Sequence, residues 1–286
     1  HEIKNTSKTE LTLTQKENSF WYSTKRICQR NTLHFFRNPI SIKARIYQYF
    51  VFGFICCSIY FRMESDPTKF QDRYDRCAAL FFISISMCMF PMFSIILTFP
   101  AERAVFLKEY GSNMYGVTSY FLGRQLIEIP IIILFPLIFG LIVYYIMGLN
   151  DFNAGKLFIF CLFLIALSLA GNALGIMVGC SFSDVKTATD VAPLFLMPIM
   201  IFAGFFINAD SLPIWVRWLQ WVSPCRYGLE GLMRNEYADS PFGLTPVEEF
   251  NFRVGLWKCF YLLLITGFVF RILALFALKR LAKKLQ

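Results

Sequence analysis

Charge is what this sequence has least of. Asp, Glu, Lys and Arg make up only 16% of its 286 residues, against about 25% in soluble domains. Histidine is nearly missing: His1 and His34 are the two present, so a histidine metal site or a histidine-based triad has almost nothing to be built from. No pair of carboxylates falls within one apolar segment, which argues against acid–base catalysis inside those segments. No G-x-x-x-x-G-K-[ST] occurs, because the one Gly-Lys step, Gly155-Lys156, is followed by Leu157. The chain therefore offers ATP no phosphate-binding loop of its own. Nine cysteines are scattered without metal-ligand spacing, and Cys56, Cys57, Cys88 and Cys161 lie in apolar runs, where Cys behaves as a small hydrophobe. Residues 1–19 contain no apolar signal-peptide core, and the first residue is His1 rather than Met. The chain is accordingly expected to be a piece of a longer polypeptide.

What is present is apolar side chain. Hydrophobic residues are 56% of the chain, 33 of them Phe, and the mean hydropathy is +0.51. A water-soluble core does not use so much, so the composition predicts an all-α membrane protein. Six apolar segments, at 44–61, 77–99, 126–148, 157–181, 191–208 and 257–278, are each near the roughly twenty residues a spanning helix needs. Short-loop Lys and Arg favour both termini in the cytosol, with Lys25, Arg26, Arg30, Lys43, Arg45, Arg103, Lys108, Arg124, Lys186 and Lys279 on that side. The formal charge of +9 is thus distributed unevenly across the membrane.

Residues 1–18 read as a polar cytosolic linker, and 19–38 as an amphipathic helix. Its Arg26, Arg30 and Arg37 form one stripe, opposite Phe20, Trp21, Thr24, Ile27, Cys28 and Phe35. That pattern suits the membrane interface; a nucleic-acid helix is excluded by the adjoining spans. Gly171, Gly175 and Gly179 repeat every fourth residue in the fourth segment, which predicts close helix packing. Pro193 and Pro198 predict either a fixed kink or a bending point in the fifth. Residues 208–256 read as an external segment with two short helices, the first opening at Pro213 and carrying Trp215 and Trp218, the second following Ser223-Pro224. Both are too short to cross. Of the few ionisable groups at or inside spans, Glu128 and Arg271 are candidates for a polar network in the cytosolic half of the bundle; the other reading of Arg271 is a side chain snorkelling alone to the interface.

Between the second and third spans lies FPAERAVFLKEYGSNMYGVTSYFLGRQLIEIP, residues 99–130. Pro100 suits the first turn of a short helix and Gly111 its stop. At 100° per residue Glu102 and Glu109 share one face, while Arg103, Phe106 and Tyr110 point away. Such an element is either a solvated loop or a helix shaped to dock on something else. Its wording, P-A-E-R-x-V-F-x-[KR]-E-Y and then Y-x-x-x-S-Y-F-L-[GA]-[RK]-x-L-x-E-[IL]-P, resembles the membrane domain of the G-type (White-like) half-transporters of the ABC superfamily. Arg37-Asn38-Pro39, Ala203 through Asn208, Leu212-Pro213, Ser223-Pro224, Arg226-Tyr227-Gly228 and Asn235-Glu236-Tyr237 extend the resemblance along most of the chain.

The resemblance implies a six-span ABC-2 type membrane domain over residues 39–286, with an interfacial helix, a short cytosolic coupling helix and a re-entrant helix pair before the last span. In that family the coupling helix touches a nucleotide-binding domain, here expected upstream of the chain together with its ATP and Mg. Carried over by position, the coupling residues are Glu102, Arg103, Phe106 and Glu109. The second and fifth spans of two subunits line a central cavity, which points to Phe82, Ser86, Met89, Leu196, Met197 and Met200 for the substrate path, though plain helix packing accounts equally for any one of them. Phe205 and Phe206 occupy the place of the family's hydrophobic gate. This chain differs in having Met89 and Pro193 where well-studied members meet ligand with other side chains. The family often has disulfides in its last outer loop; here Cys77, Cys225 and Cys259 are the cysteines on that side. The expected activity is export of a lipid-like, sterol or amphipathic molecule by alternating access, in a homo- or heterodimer, at the plasma membrane or an internal one. The expected partners are the nucleotide-binding domain, a second half-transporter, membrane lipids and a hydrophobic small molecule, and no nucleic acid. The chain by itself is expected not to be an enzyme. The rival classes are an ATP-independent receptor or channel and a lipid-modifying membrane enzyme.

Overall fold

Helices that must satisfy every backbone group internally are what a chain this apolar can form in lipid. The computed structural model describes residues 20–37, 39–63, 70–112, 114–149, 153–182, 184–207, 213–238 and 245–283; the expected linker over 1–18 lies outside them, as do 208–212 and 239–244. Among the described residues there is helix and turn and no strand. In order come α1 (Phe20–Arg37), α2 (Pro39–Ile59), α3 (Phe70–Gly111), α4 (Val117–Met147), α5 (Ala154–Ser181), α6 (Val185–Ile201), α7 (Ile214–Arg217), α8 (Leu219–Val222), α9 (Pro224–Tyr237), α10 (Thr245–Glu249) and α11 (Leu256–Lys283). Five of these, α2, α3, α4, α5 and α11, are long and apolar enough to cross a membrane. The fifth apolar segment, 191–208, became α6, which has 17 residues, the lower edge of what spans.

α5 is the hub, packed against α3, α4, α9 and α11. Its glycines explain how the neighbours come so near. A Cβ on Gly171 would lie 2.0 Å from the Cys88 carbonyl oxygen, and one on Gly175 would lie 2.6 Å from that of Met92. The α3 backbone therefore runs directly along the stripe. α9 reaches the other side of α5 in the same way, with Gly228 over Leu167 and Gly231 over Phe163. Two clusters of buried apolar residues result. The larger joins α3, α5, α9 and the upper part of α11. The smaller gathers Ile27, Phe99, Phe106, Tyr120, Cys180 and Leu278 where α1, the last part of α3, the start of α4 and the ends of α5 and α11 meet. These two poles are called the α9 end and the α1 end below.

Three elements differ from the sequence reading. First, Pro100 opens no separate helix: α3 is continuous for 42 residues with Pro91 and Pro100 inside it. Each proline removes one ladder bond, yet its fixed φ remains helical. At 1.5 Å per residue the helix is about 63 Å long, twice the roughly 30 Å hydrocarbon layer, so the expected coupling helix is the projecting end of a span. Second, α6 stops at Ile201 although apolar residues continue to Ile207. Gly204 adopts a φ of +94°, and the Phe252 ring occupies the space a Cβ would need, 2.8 Å away; hydropathy carries no trace of such a backbone turn. Third, the expected first helix of the re-entrant pair is divided at Trp218 into α7 and α8. Their Trp215, Trp218 and Trp221 remain exposed, whereas α9 is buried along nearly its whole length. α1, expected to lie in the membrane interface, rests in part on protein: Ser23, Thr24 and Ile27 are buried beside α4, while Trp21 stays exposed.

Candidate functional site

At the α1 end the projecting part of α3 is held from three directions. Its inner face carries Arg103 and Phe106, both buried. Phe106 stacks on Tyr120 of α4 with ring centroids 4.3 Å apart. Arg103 Nη1 donates to the carbonyl of Phe182 at 2.7 Å and to that of Cys180 at 3.2 Å. The last carbonyls of a helix have no partner within it, so Arg103 closes the end of α5 and sets a cation at the negative pole of its dipole. Burial pushes the Arg103 guanidinium below its ordinary range.

The outer side is also tethered. Arg124 of α4 donates from Nε to the Glu102 carboxylate, and its guanidinium lies 4.8 Å above the Phe99 ring. Arg30 of α1 donates from Nη1 to Glu109 Oε1 at 2.5 Å, and Tyr115 Oη donates to Glu109 Oε2. Burial alone would raise the Glu109 carboxyl, but the hydrogen bonds from Arg30 and Tyr115 and the Arg30 charge hold it below the usual carboxylate range. The same contact raises Arg30, and burial together with Glu109 raises the Tyr115 phenol. Left uncovered on this stretch are Ala104, Lys108 and Val105, the last 52% exposed. Of the four candidate coupling residues, then, Glu102 and Glu109 lie on the accessible side with basic partners, and Arg103 and Phe106 face into the bundle. Arg30, Arg124 and Tyr115 were missed by sequence reasoning. The arginine stripe of α1 and the Glu102–Glu109 periodicity were the available signals, and neither names its partner.

Of the two candidates for a polar network, Glu128 is paired with Arg45. Arg45 of α2 grips it with Nη1 on Oε2 at 3.1 Å and Nη2 on Oε1 at 3.3 Å, while Arg45 Nε donates to Ser94 Oγ at 2.6 Å. The reason lies in the packing order: α2 lies along α4, whereas α11 lies mainly along α5 and α9. Arg271 has its Nε and Nη2 buried, with no hydrogen-bond partner among the described residues.

The candidate path residues sit on α3 and α6, which pack together. Phe82 and Met197 are exposed, at 50% and 59%; Met89 and Met200 are half-buried; Ser86 and Leu196 are buried. Past the end of α6, Phe205 stacks on Phe81 of α3 with centroids 4.4 Å apart and on Phe250 at 5.5 Å. Phe206, 58% exposed, meets Phe81 edge-on at 5.0 Å. Phe81 and Phe250 are thus members of the aromatic cluster that the sequence did not single out. Further toward the α9 end lies buried charge that it also missed. Arg76 Nη1 is 2.6 Å from Glu236 Oε1, and Glu230 Oε1 accepts from Arg234 Nε and from the Val254 amide. Burial pushes the Glu230 carboxyl up, against the opposing pull of Arg234. The cysteines of this end have separate neighbours: Cys77 Sγ lies 3.2 Å from Tyr237 Oη, and Cys259 Sγ donates to the Val254 carbonyl at 3.7 Å.

The sequence has no glycine-rich phosphate loop, and at the α1 end Arg30 and Arg124 are bound to carboxylates and Arg103 to backbone carbonyls. What the arrangement defines is an all-helical membrane domain with a projecting, tethered helix end and an apolar flank. Comparison with known proteins agrees. Residues 22–237 match the family of ABC-2 type transporters, and the chain belongs to that family. It is 30% identical to Protein white of Drosophila melanogaster over 242 residues, 82% of this chain and 34% of that protein. It is 32% identical to the broad substrate specificity ATP-binding cassette transporter ABCG2 of Sus scrofa over 227 residues, 78% and 34% of the two chains. ABC transporter G family member 1 of Dictyostelium discoideum is 27% identical over 263 residues, 85% and 33%. The chain spans about a third of the length of these curated relatives.

Proposed function

We propose that this chain is the membrane half of an ATP-driven exporter that moves a lipid-like, sterol or amphipathic hydrophobic molecule, working by alternating access in a pair of such chains. The observation that carries the reading is the form of α3. One continuous helix runs from the candidate path, through Phe82, Ser86 and Met89, to a projecting end that is fixed to α1, α4 and α5 and yet leaves Val105 and Lys108 uncovered. A helix so arranged acts as a lever, with an outer face free for a partner. That partner is a nucleotide-binding domain, in keeping with the ATP-binding cassette in the names of the pig and other relatives, and the α1 end is the cytosolic one. Glu102 and Glu109 stand on the docking side, and Arg103 and Phe106 hold the lever from within. Met89, Met197 and Met200 give the path deformable apolar walls suited to varied shapes. Phe205 and Phe206, stacked on Phe81, close it toward the α9 end. The movement requires the partner to bind one arrangement of the lever more tightly than the other.

The test is a charge change on the uncovered face. In the full-length protein reconstituted in vesicles, Val105→Asp combined with Lys108→Glu should leave the fold intact, by melting temperature, and separate ATP hydrolysis from transport of a fluorescent lipid. Transport and transport-stimulated hydrolysis both at the parental level in the folded double variant would dismiss the docking role.

A further inference from the structure

The turn between α5 and α6 is short: α5 ends at Ser181 and α6 begins at Val185. Asp184 caps α6, its Oδ2 accepting from the Thr187 amide at 3.2 Å, and Ala188 one turn later is fully buried. Arg103 bonds Phe182 inside this turn as well as Cys180 at the end of α5. Its exposure is 4%, and among the described residues its Nε has no hydrogen-bond partner while its Nη1 is bound to those two carbonyls. One helical turn back, the Phe99 ring lies against Gly179, 3.1 Å from where a Cβ would stand. The projecting end of α3 is therefore hooked to the strip of backbone from which α6 departs, and α6 carries Leu196, Met197 and Met200 and leads into Phe205 and Phe206.

We infer that Arg103 is the positioning residue through which movement of the α3 end reaches α6, acting on the α5–α6 turn rather than on a docked partner. The inference rests on the exporter reading above and gives it an internal linkage. Because the two bonds run from one guanidinium nitrogen to two backbone oxygens, displacement of Arg103 along the α3 axis pulls on Phe182, and three residues further on the pull arrives at the first turn of α6. Pro193 and Pro198 lie beyond that turn, so the path-lining half of α6 can bend as its start is drawn.

Two substitutions test this in the full-length protein in nanodiscs and vesicles. Arg103→Met keeps length and apolar stem and removes every donor; Arg103→Lys keeps a cation able to donate to both carbonyls. Arg103→Met should lower the amount of fluorescent lipid moved per ATP hydrolysed severalfold, and Arg103→Lys should restore most of it. A second readout is needed because a lost helix cap would also cost stability. Spin labels at Ser112→Cys and Lys186→Cys, both exposed positions, should give one narrow distance distribution with and without ATP and vanadate in the parent and in Arg103→Lys. In Arg103→Met the distribution should broaden or divide. Unchanged transport per ATP and an unchanged distribution in Arg103→Met would overturn the inference, as would an Arg103→Lys variant as impaired as Arg103→Met. If the parent moves no lipid with ATP, it is the exporter reading that fails, and the distance measurement without nucleotide still judges the hook.

Discussion

Arg45 and Glu128 are both nearly buried and hold each other through two hydrogen bonds. Taking either charge away strands the other in a low-dielectric surround, which costs about 3–5 kcal/mol, whereas replacing both with apolar residues of like volume is close to neutral. Arg45→Met and Glu128→Leu should each lower the detergent melting temperature clearly, and the double variant should recover most of the loss. A double variant no more stable than the worse single one would show that the pair is not the relevant contact. The sequence identified Glu128 as an intramembrane carboxylate in need of a partner but could not supply the partner, because choosing between Arg45 and Arg271 needs the order in which helices pack. The same limit hid Arg30 behind Glu109 and Arg76 behind Glu236, pairs separated by 79 and 160 positions. Residue type foretells the need; only topology provides the mate.

Helix existence was legible where length and apolar run agreed, as in α4, α5 and α11, and the glycine repeat of α5 foretold close packing that the approach of the Cys88 and Met92 backbone bears out. Boundaries that depend on backbone conformation were not legible: the passage of α3 through Pro100, and the end of α6 ahead of Gly204. The glycines also separate by consequence. Gly171 has the Cys88 backbone where a side chain would go, so Gly171→Val must push α3 away from α5; overpacking of this kind costs about 1–3 kcal/mol or more. Gly111, at the last position of α3, has nothing within 4 Å of its would-be Cβ. Gly111→Ala should be neutral or raise stability by up to about 1 kcal/mol. Thermal melts of the two variants side by side check the contrast, and equal effects would argue against the α3–α5 approach described above.

For the molecule as a whole, one flank stands out. Phe82, Leu194, Met197 and Phe206 are all exposed on or beside α3 and α6, next to the candidate path. In the proposed pair of chains this flank is expected to meet its counterpart, and the outer side of α11, with Tyr261, Phe268 and Phe276 exposed, to meet lipid. Single cysteines at Leu194 or Met197 in a background without native exposed thiols should cross-link to a second chain in native membranes, and a cysteine at Phe268 should not. The opposite pattern would move the subunit contact to α11.

α9 has a consequence for how the protein is made. It is written late in the chain, yet it lies against α5, α11 and α3, with Phe163 and Leu167 filling the space its glycines leave. Until α9 has been made, α3 and α5 can already clasp each other, while one side of α5 waits uncovered in the translocon or in lipid. The bundle therefore closes only once α9 and α11 have followed the earlier helices, and a nascent chain halted before Pro224 should present that side of α5 to quality control.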